Sequence, residues 1–394
     1  MKHSLPFVLL TSLLPAVAFP HGFGIAKGTH LDAALSTTWR SEAAANTAQA
    51  WQIPGLLMGG HALPAERGPG LDQAILTLTH HRDDGLYALL KAGSHDGGDF
   101  GLEHAYAGWR SSGESTGFAV EGGRMSPMFS PLLHDHPAER LYAESSLLAD
   151  AFWGRHLEDN GLRLLARLPA DIRLGIESWQ GNAFPATPGE TLHDVFGDIT
   201  FATGGVTLTA GFFALEASAV NRTDNRYDSG HSHGGTTITV PDVRYTGDTR
   251  IGGVNGRLQW QLTDQQTLRL RSEWMQQDVD GNIRESTRLA HLAGTHRGMS
   301  HAFEFKAGRH EIGLRYDSLS LSNTVSGSGA AVLAPLAGLT TTGNNPQKLN
   351  VAYARQILPG LKTRIEWVQD DSTGQRHERW LLGFVWQEQL WMRH

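Results

Sequence analysis

Three groups of residues in this chain could do chemistry. The first is a set of arginines and glutamates recurring at alternate positions: Arg163 and Arg167, Arg173 and Glu177, Arg257, Arg269 with Arg271 and Glu273, Arg315, and Arg364. Period-two spacing puts them on one face of extended chain, where they either pair across neighbouring strands or line a wet passage that draws ions. The second group is histidine, twenty in 394 residues. His134-Asp135-His136 and His231-Ser232-His233 hold imidazoles two residues apart, within reach of one Zn²⁺ if a turn gathers them, with Asp135 an oxygen ligand. Solvated loop histidines are the plainer reading, because the sequence shows no partner that would orient the rings. The third is Gly113-Glu-Ser-Thr-Gly117, which fits the G-x-S-x-G pattern of serine hydrolases. It lies between two extended runs with no helix after Ser115, so a turn is expected there and no enzyme.

The elements that must position the charged face are strands. In Gly161 to Trp179, Leu162, Leu164, Ala166 and Leu168 share one side; after Pro169-Ala170, Ile172, Leu174 and Ile176 resume the alternation. The remaining runs of this kind are 31–39, 72–81, 86–92, 100–109, 118–124, 195–203, 206–219, 249–262, 266–276, 301–308, 310–319, 347–355, 361–369 and 378–387. With the two strands of the 161–179 hairpin they make sixteen, fourteen being the alternative count. Their connections alternate in length: short at 83–85, 169–170, 204–205, 263–265, 309 and 357–360, long at 41–71, 125–159, 179–194, 220–248, 277–300 and 320–346. This pattern predicts an all-β fold, a transmembrane antiparallel β-barrel with short periplasmic turns, long outer loops and both termini in the periplasm. The leucine side then meets lipid, and Trp39, Trp109, Trp179, Trp274, Trp367 and Trp380 near strand ends form interfacial girdles. A soluble secreted β protein is the alternative, and it would have to cover the same apolar faces with protein.

Lys2-His3, the apolar run Leu5–Leu14 and Ala16-Val-Ala18 predict a secretory signal over 1–18, leaving 19–394 as the exported barrel. No later apolar run is long enough for a membrane helix, so any crossing is by strands. Without cysteine there are no disulfides or thiolate metal sites, and a formal charge of −7 supplies no nucleic-acid surface. Residues 125–159 break the period-two pattern. Within them Leu141, Leu148 and Phe152 follow Pro137 at helical spacing, predicting a short helix over 138–152.

Laid out as strands, Gly122-Gly-Arg-Met-Ser126, Leu133-His-Asp-His-Pro-Ala-Glu-Arg140, Ala151-Phe-Trp-Gly154 followed by Leu157–Arg163, and Arg271–Gly281 resemble a proteobacterial family of outer-membrane porin-like barrels. Its members are often labelled zinc-regulated outer-membrane proteins and are similar to phosphate-selective porins. The resemblance runs from about Ile75 to Gln387 and implies location in the cell outer membrane, with lipid and the barrel-assembly machinery as partners. The chain departs from the usual terminal aromatic, ending Trp391-Met-Arg-His394. In general porins the loop at this place folds into the barrel, so the resemblance makes 125–159 the candidate constriction loop, with Asp135, Glu139, Arg140, Glu144 and Arg155 setting its field. The function expected is passive passage of small hydrophilic or anionic solutes, with low-affinity zinc capture by loop histidines, no required cofactor and a homotrimer as one assembly this allows. The alternatives are a metal or ligand receptor without free conductance, and an outer-membrane lipid hydrolase.

Overall fold

The computed structural model describes residues 25–393 apart from 45–49, 96–97, 112, 114–115, 135, 228–237, 239, 342 and 344. Sixteen strands form one closed antiparallel barrel. They are β1 Gly28–Arg40, β2 Gly68–His81, β3 Leu86–His95, β4 Gly101–Arg110, β5 Gly117–Met125, β6 Asp159–Leu168, β7 Ile172–Trp179 and β8 Leu192–Thr203, then β9 Val206–Arg222, β10 Arg244–Thr263, β11 Gln266–Glu285, β12 Arg288–Ala307, β13 His310–Ser326, β14 Gln347–Leu358, β15 Leu361–Asp370 and β16 His377–Arg393. Each strand pairs with its neighbours in sequence, and β16 returns to β1 from Arg393 against Thr29 to Leu381 against Arg40, with one bulge at Leu31/Asp32. The final strand therefore carries Trp391 and closes the ring without an aromatic at its last position. Closure leaves no unpaired sheet edge.

The two faces meet different surroundings, as their periodicity requires. On β6, Leu162 and Leu164 are 64% and 55% exposed while Arg163 between them is fully buried; on β7, Ile176 is exposed and Glu177 buried. Val254, Leu270, Trp274, Ile312, Leu314, Val351, Ile365 and Phe384 continue the outward apolar band around the barrel. A contiguous apolar exterior on this scale suits hydrocarbon rather than water. The charged faces turn inward.

Four expectations need correction. Residues 277–300 are not a long loop: β11 and β12 run on to a two-residue turn at 286–287. The outer face there is polar, with Thr295 bonded to Asp278 at 2.7 Å, so the alternation that marks a lipid-facing strand is lost. The inner face still packs, through Val279, Ile283, Ala290 and Leu292 against Leu333 of a short helix, α2 (Ala330–Leu336). The helix expected over 138–152 is only α1, Leu147–Phe152, capped by the Ser146 side chain on the Leu148 N–H. The carbonyls of Tyr142, Ala143, Glu144 and Ser145 accept from Arg140 and Arg315, so that stretch is held open by side chains and forms no helix. Trp179 belongs to no outer girdle. It shares the parity of Glu177, faces inward, donates to Asp194 at 2.9 Å and lies under the Arg163 guanidinium. Trp274 faces outward as expected, but lies mid-strand because β11 continues to Glu285.

Inward glycines make room for aromatic side chains. A Cβ on Gly175 would lie 2.2 Å from the ring of Phe196, its cross-strand partner. Gly175→Ala is therefore expected to push Phe196 out of its rotamer and destabilise the barrel by about 1–3 kcal/mol. A lowered urea midpoint of the vesicle-embedded protein checks this.

Candidate functional site

The β5–β6 connection, 126–158, enters the barrel and is fixed to wall side chains along its length. At its start, Arg163 of β6 donates to the Ser126 carbonyl, and the Met128 N–H donates to Glu177 of β7 at 3.1 Å. Phe129 then packs on Phe213 of β9 with ring centroids 5.0 Å apart, and the Ser130 hydroxyl donates to Glu273 of β11. Only six residues later, the His136 ring lies 3.2 Å from Gln73 of β2 and 3.1 Å from Lys91 of β3. Strands β11 and β2 stand seven steps apart around a ring of sixteen, where eight would be diametric. The segment therefore crosses the lumen instead of following one wall.

From there the loop returns along the other side. The Ala138 N–H donates to Gln73, and its carbonyl accepts from Gln387 of β16. Arg364 of β15 donates to the Pro137 carbonyl at 2.9 Å, and the Ala143 N–H donates to Glu366. Glu144 takes Arg379 of β16 at 2.9 Å and Arg40 of β1 at 3.6 Å. Burial pushes the Glu144 carboxyl up, but Arg379, Lys348 and Arg40 outweigh it and hold it well below the usual carboxylate range. Leu147 donates to Asp317 of β13, and Leu148 and Phe152 pack near Gly298 of β12. Irregular backbone inside a barrel must find hydrogen-bond partners, and here the inward-facing charged residues supply them. Apolar packing completes the layer: Met125, Met128, Phe129, Leu133, Phe152 and Trp153 join wall residues Tyr106, Leu165, Phe196, Phe213 and Leu319. Trp51, Ile53, Leu56 and Met58 of the β1–β2 connection belong to the same cluster.

The ten residues expected on the wall all face the interior and fall into two groups. Arg163, Glu177, Glu273, Arg315 and Arg364 are buried against the loop. Arg163 is held by Glu121 and Glu177, all three fully buried; Arg364 lies 3.0 Å from Asp72, which also takes Arg40 at 2.7 Å. Arg167, Arg173, Arg257, Arg269 and Arg271 lie toward the short-turn rim and keep contact with solvent. Arg173 pairs with Asp198, Arg269 with Glu311 at 3.3 Å and Arg271 with Glu304. Arg167 pairs with Asp171 at the turn. Arg257 makes no hydrogen bond or ion pair among the described residues and lies near Arg173 and Arg271 and near the acids Asp198 and Glu273.

Of the expected constriction residues, Arg140 and Glu144 are buried while Glu139 and Arg155 are half-buried, Arg155 pairing with Asp150 at 2.9 Å. Asp135 lies outside the described residues, as do His231, His233, Glu114 and Ser115. His134 and His136 are inside the barrel, and no group of three or more His, Asp or Glu among the described residues is arranged to hold a metal. The Glu103 carboxylate salt-bridges Lys91 at 2.8 Å and His95 at 2.9 Å, beside His136 and His156. A Ser–His pair does exist: Ser126 Oγ lies 2.9 Å from His104 Nε2. Glu158 approaches the same nitrogen at 3.8 Å, whereas a triad acid must hold the opposite one, and both Ser126 and His104 are within 3% of full burial.

Sequence reasoning missed Glu121, Asp72, Arg40, Asp370 and Arg379, the partners that bury the wall charges, and the packing of 51–58 over the loop. The apolar density of Trp51, Ile53 and Leu56-Leu-Met58 within a long connection was the available signal.

No protein-family model and no curated protein matches the chain. Solved structures do match in fold. Pseudomonas putida OprB aligns with a TM-score of 0.52 at 11% identity, over 92% of this chain and 94% of that one. The anion-selective porin of Comamonas acidovorans aligns with a TM-score of 0.50 at 11% identity, over 91% and 99%. The trimer form of OmpT from Vibrio cholerae aligns with a TM-score of 0.50 at 11% identity, over 92% and 100%.

Proposed function

We propose that this chain is an outer-membrane porin-like channel for passive passage of small hydrophilic solutes, with anions favoured, and that 126–158 is its constriction. The observation that carries the reading is a closed barrel, apolar outside, with a solvent-reached basic group on the short-turn side of a loop that crosses the lumen. There Arg173, Arg257, Arg269 and Arg271 face Asp198, Glu273, Glu304 and Glu311, and Arg257 alone of the four forms no ion pair among the described residues. A low-dielectric wall with an unpaired cation concentrates anions at that point. Export by the 1–18 signal and assembly as a homotrimer belong to the same proposal.

In planar bilayers under asymmetric KCl, the reversal potential is expected to report anion preference, and Arg257→Gln with Arg269→Gln is expected to shift it toward zero. Cation preference in the unaltered protein, or no shift in the double variant, would overturn the reading. The loop's bonds to strands on both sides of the barrel favour one second reading, a receptor without free conductance. Zero conductance under every condition would select it. Low-affinity zinc capture by His134, Asp135, His136, His231 and His233 belongs to the same proposal, with His136 the weakest candidate because Lys91 lies 3.1 Å from its Nε2. A lipid hydrolase is disfavoured by the geometry around Ser126.

A further inference from the structure

A cavity of about 240 Å³ lies at the long-loop rim among three connections. The β1–β2 connection contributes Leu57 and Met58, the β9–β10 connection Val243, and the α2 segment Leu336, while Arg222 and Tyr245 also line it. Arg222 is unusual among the arginines here. Its guanidinium is sandwiched between the rings of Phe184 and Tyr245, 4.7 and 4.9 Å from their centroids, and Nη1 donates to the Pro185 carbonyl. It forms no ion pair among the described residues. The acid beside it is already committed: both carboxylate oxygens of Asp224 accept from Arg226, at 2.8 and 2.6 Å. Arg226 is itself fixed by the carbonyls of Ala62 and Trp51, each at 2.9 Å, so Asp224 is not free to turn toward Arg222.

The cavity thus presents an oriented guanidinium without an ion pair among the described residues, an Asp224 carboxylate already taken by Arg226, and a mixed wall whose apolar part is Leu57, Met58, Val243 and Leu336. We propose that it binds a small amphipathic anion, a carboxylate carried on a compact apolar body. A planar carboxylate matches the two-pronged donor geometry of a guanidinium, and the ring sandwich already holds that guanidinium in place. The apolar walls set the other half of the preference: inorganic phosphate or sulfate would meet the cation but leave Leu57, Met58, Val243 and Leu336 uncovered. The volume falls below the roughly 300–1,000 Å³ of pockets for drug-sized ligands, which restricts the occupant to single-ring or short branched acids.

Calorimetry on the full-length folded protein in detergent, with benzoate, benzamide and inorganic phosphate as separate probes, tests this. Benzoate is expected to bind saturably, with benzamide and phosphate each at least tenfold weaker. Arg222→Met is expected to weaken benzoate roughly tenfold to a hundredfold, the range for a lost charge-assisted hydrogen-bond pair. Val243→Trp, which fills the cavity and leaves Arg222 in place, is expected to abolish benzoate binding and serves if Arg222→Met fails to fold. Phosphate binding as tightly as benzoate would overturn the amphipathic assignment. No saturable benzoate binding, or binding unchanged in the Val243→Trp protein, would overturn the site.

Discussion

Replacing Arg163 by alanine is expected to destabilise the folded barrel by about 3–5 kcal/mol, the range for removing one partner of a buried ion pair. The guanidinium joins Glu121, Glu177 and the Ser126 carbonyl, and the three charged residues are fully buried. Without it two carboxylates face each other in the interior, and the first anchor of the 126–158 loop is lost. Part of the loss should return when the acids are neutralised as well: Arg163→Ala with Glu121→Gln and Glu177→Gln ought to be more stable than Arg163→Ala alone. Arg163→Lys should fall between, because an ammonium cannot fork to both acids and a carbonyl in one plane. Urea titration in lipid vesicles, followed by tryptophan fluorescence and by the gel shift between folded and boiled barrel, measures this. An unchanged midpoint for Arg163→Ala would show that the cluster does not hold the loop.

Conductance is expected to rise reversibly as the pH falls from 7.5 to 5. Three loop histidines are kept neutral in the docked loop. Burial pushes His134 down to about 3, with Arg163, Arg257 and Lys91 adding repulsion against a favourable backbone hydrogen bond at Pro127. Burial also puts His136 well below its ordinary value, reinforced by Lys91, His95, His156 and His104. His156 is lowered in the same way, by burial and then by His95, His61, Arg155 and Arg140. The residual exposure of His156 is to interior cavities of about 10–20 Å³, room for about one water and too little to hydrate an imidazolium. A released loop histidine titrates near 6.5 and so takes up protons before a docked one. Docking is therefore at full strength above about pH 6.5 and weakens below it, by about 1.4 kcal/mol per pH unit for His134, with His136 and His156 acting in the same direction. Glu158 opposes this, since burial raises its carboxyl and favours the docked form on acidification, but it is one group against three. The variant His134→Gln/His136→Gln/His156→Gln should conduct alike at both pH values. Equal conductance of the unaltered protein at pH 7.5 and 5 would sink the idea.

Much of the fold was legible because a barrel strand separates two solvents. Leu162, Leu164 and Ile176 could be assigned to the outside, and Arg163 and Glu177 to the inside, from alternation alone, since hydrocarbon excludes one set and tolerates the other. The signal stopped where the outer solvent changed. In β11 and β12 beyond Gln276 the outward side chains are Asp278, Asp280 and Thr295, and only the ladder to the partner strand shows that the extended structure continues. Trp179 went astray because proximity to a strand end was weighted over parity, although the position of Glu177 two residues earlier already placed it inside.

Sequence by itself determined a barrel of about sixteen strands, the faces of the lipid-bounded parts of those strands and the irregular stretch at 125–159, because each depends on the next few residues and on which medium they touch. Whether an inward arginine meets water or protein was decided only in three dimensions. Arg163 and Arg257 have the same parity and the same chemistry, yet one is fully buried beneath the loop and the other lies in the wet half of the lumen. The loop's course was decided the same way, by pairs such as Ser130 with Glu273, Ala143 with Glu366 and Glu144 with Arg379, whose partners lie 143 to 235 residues away along the chain and become neighbours only when the barrel closes.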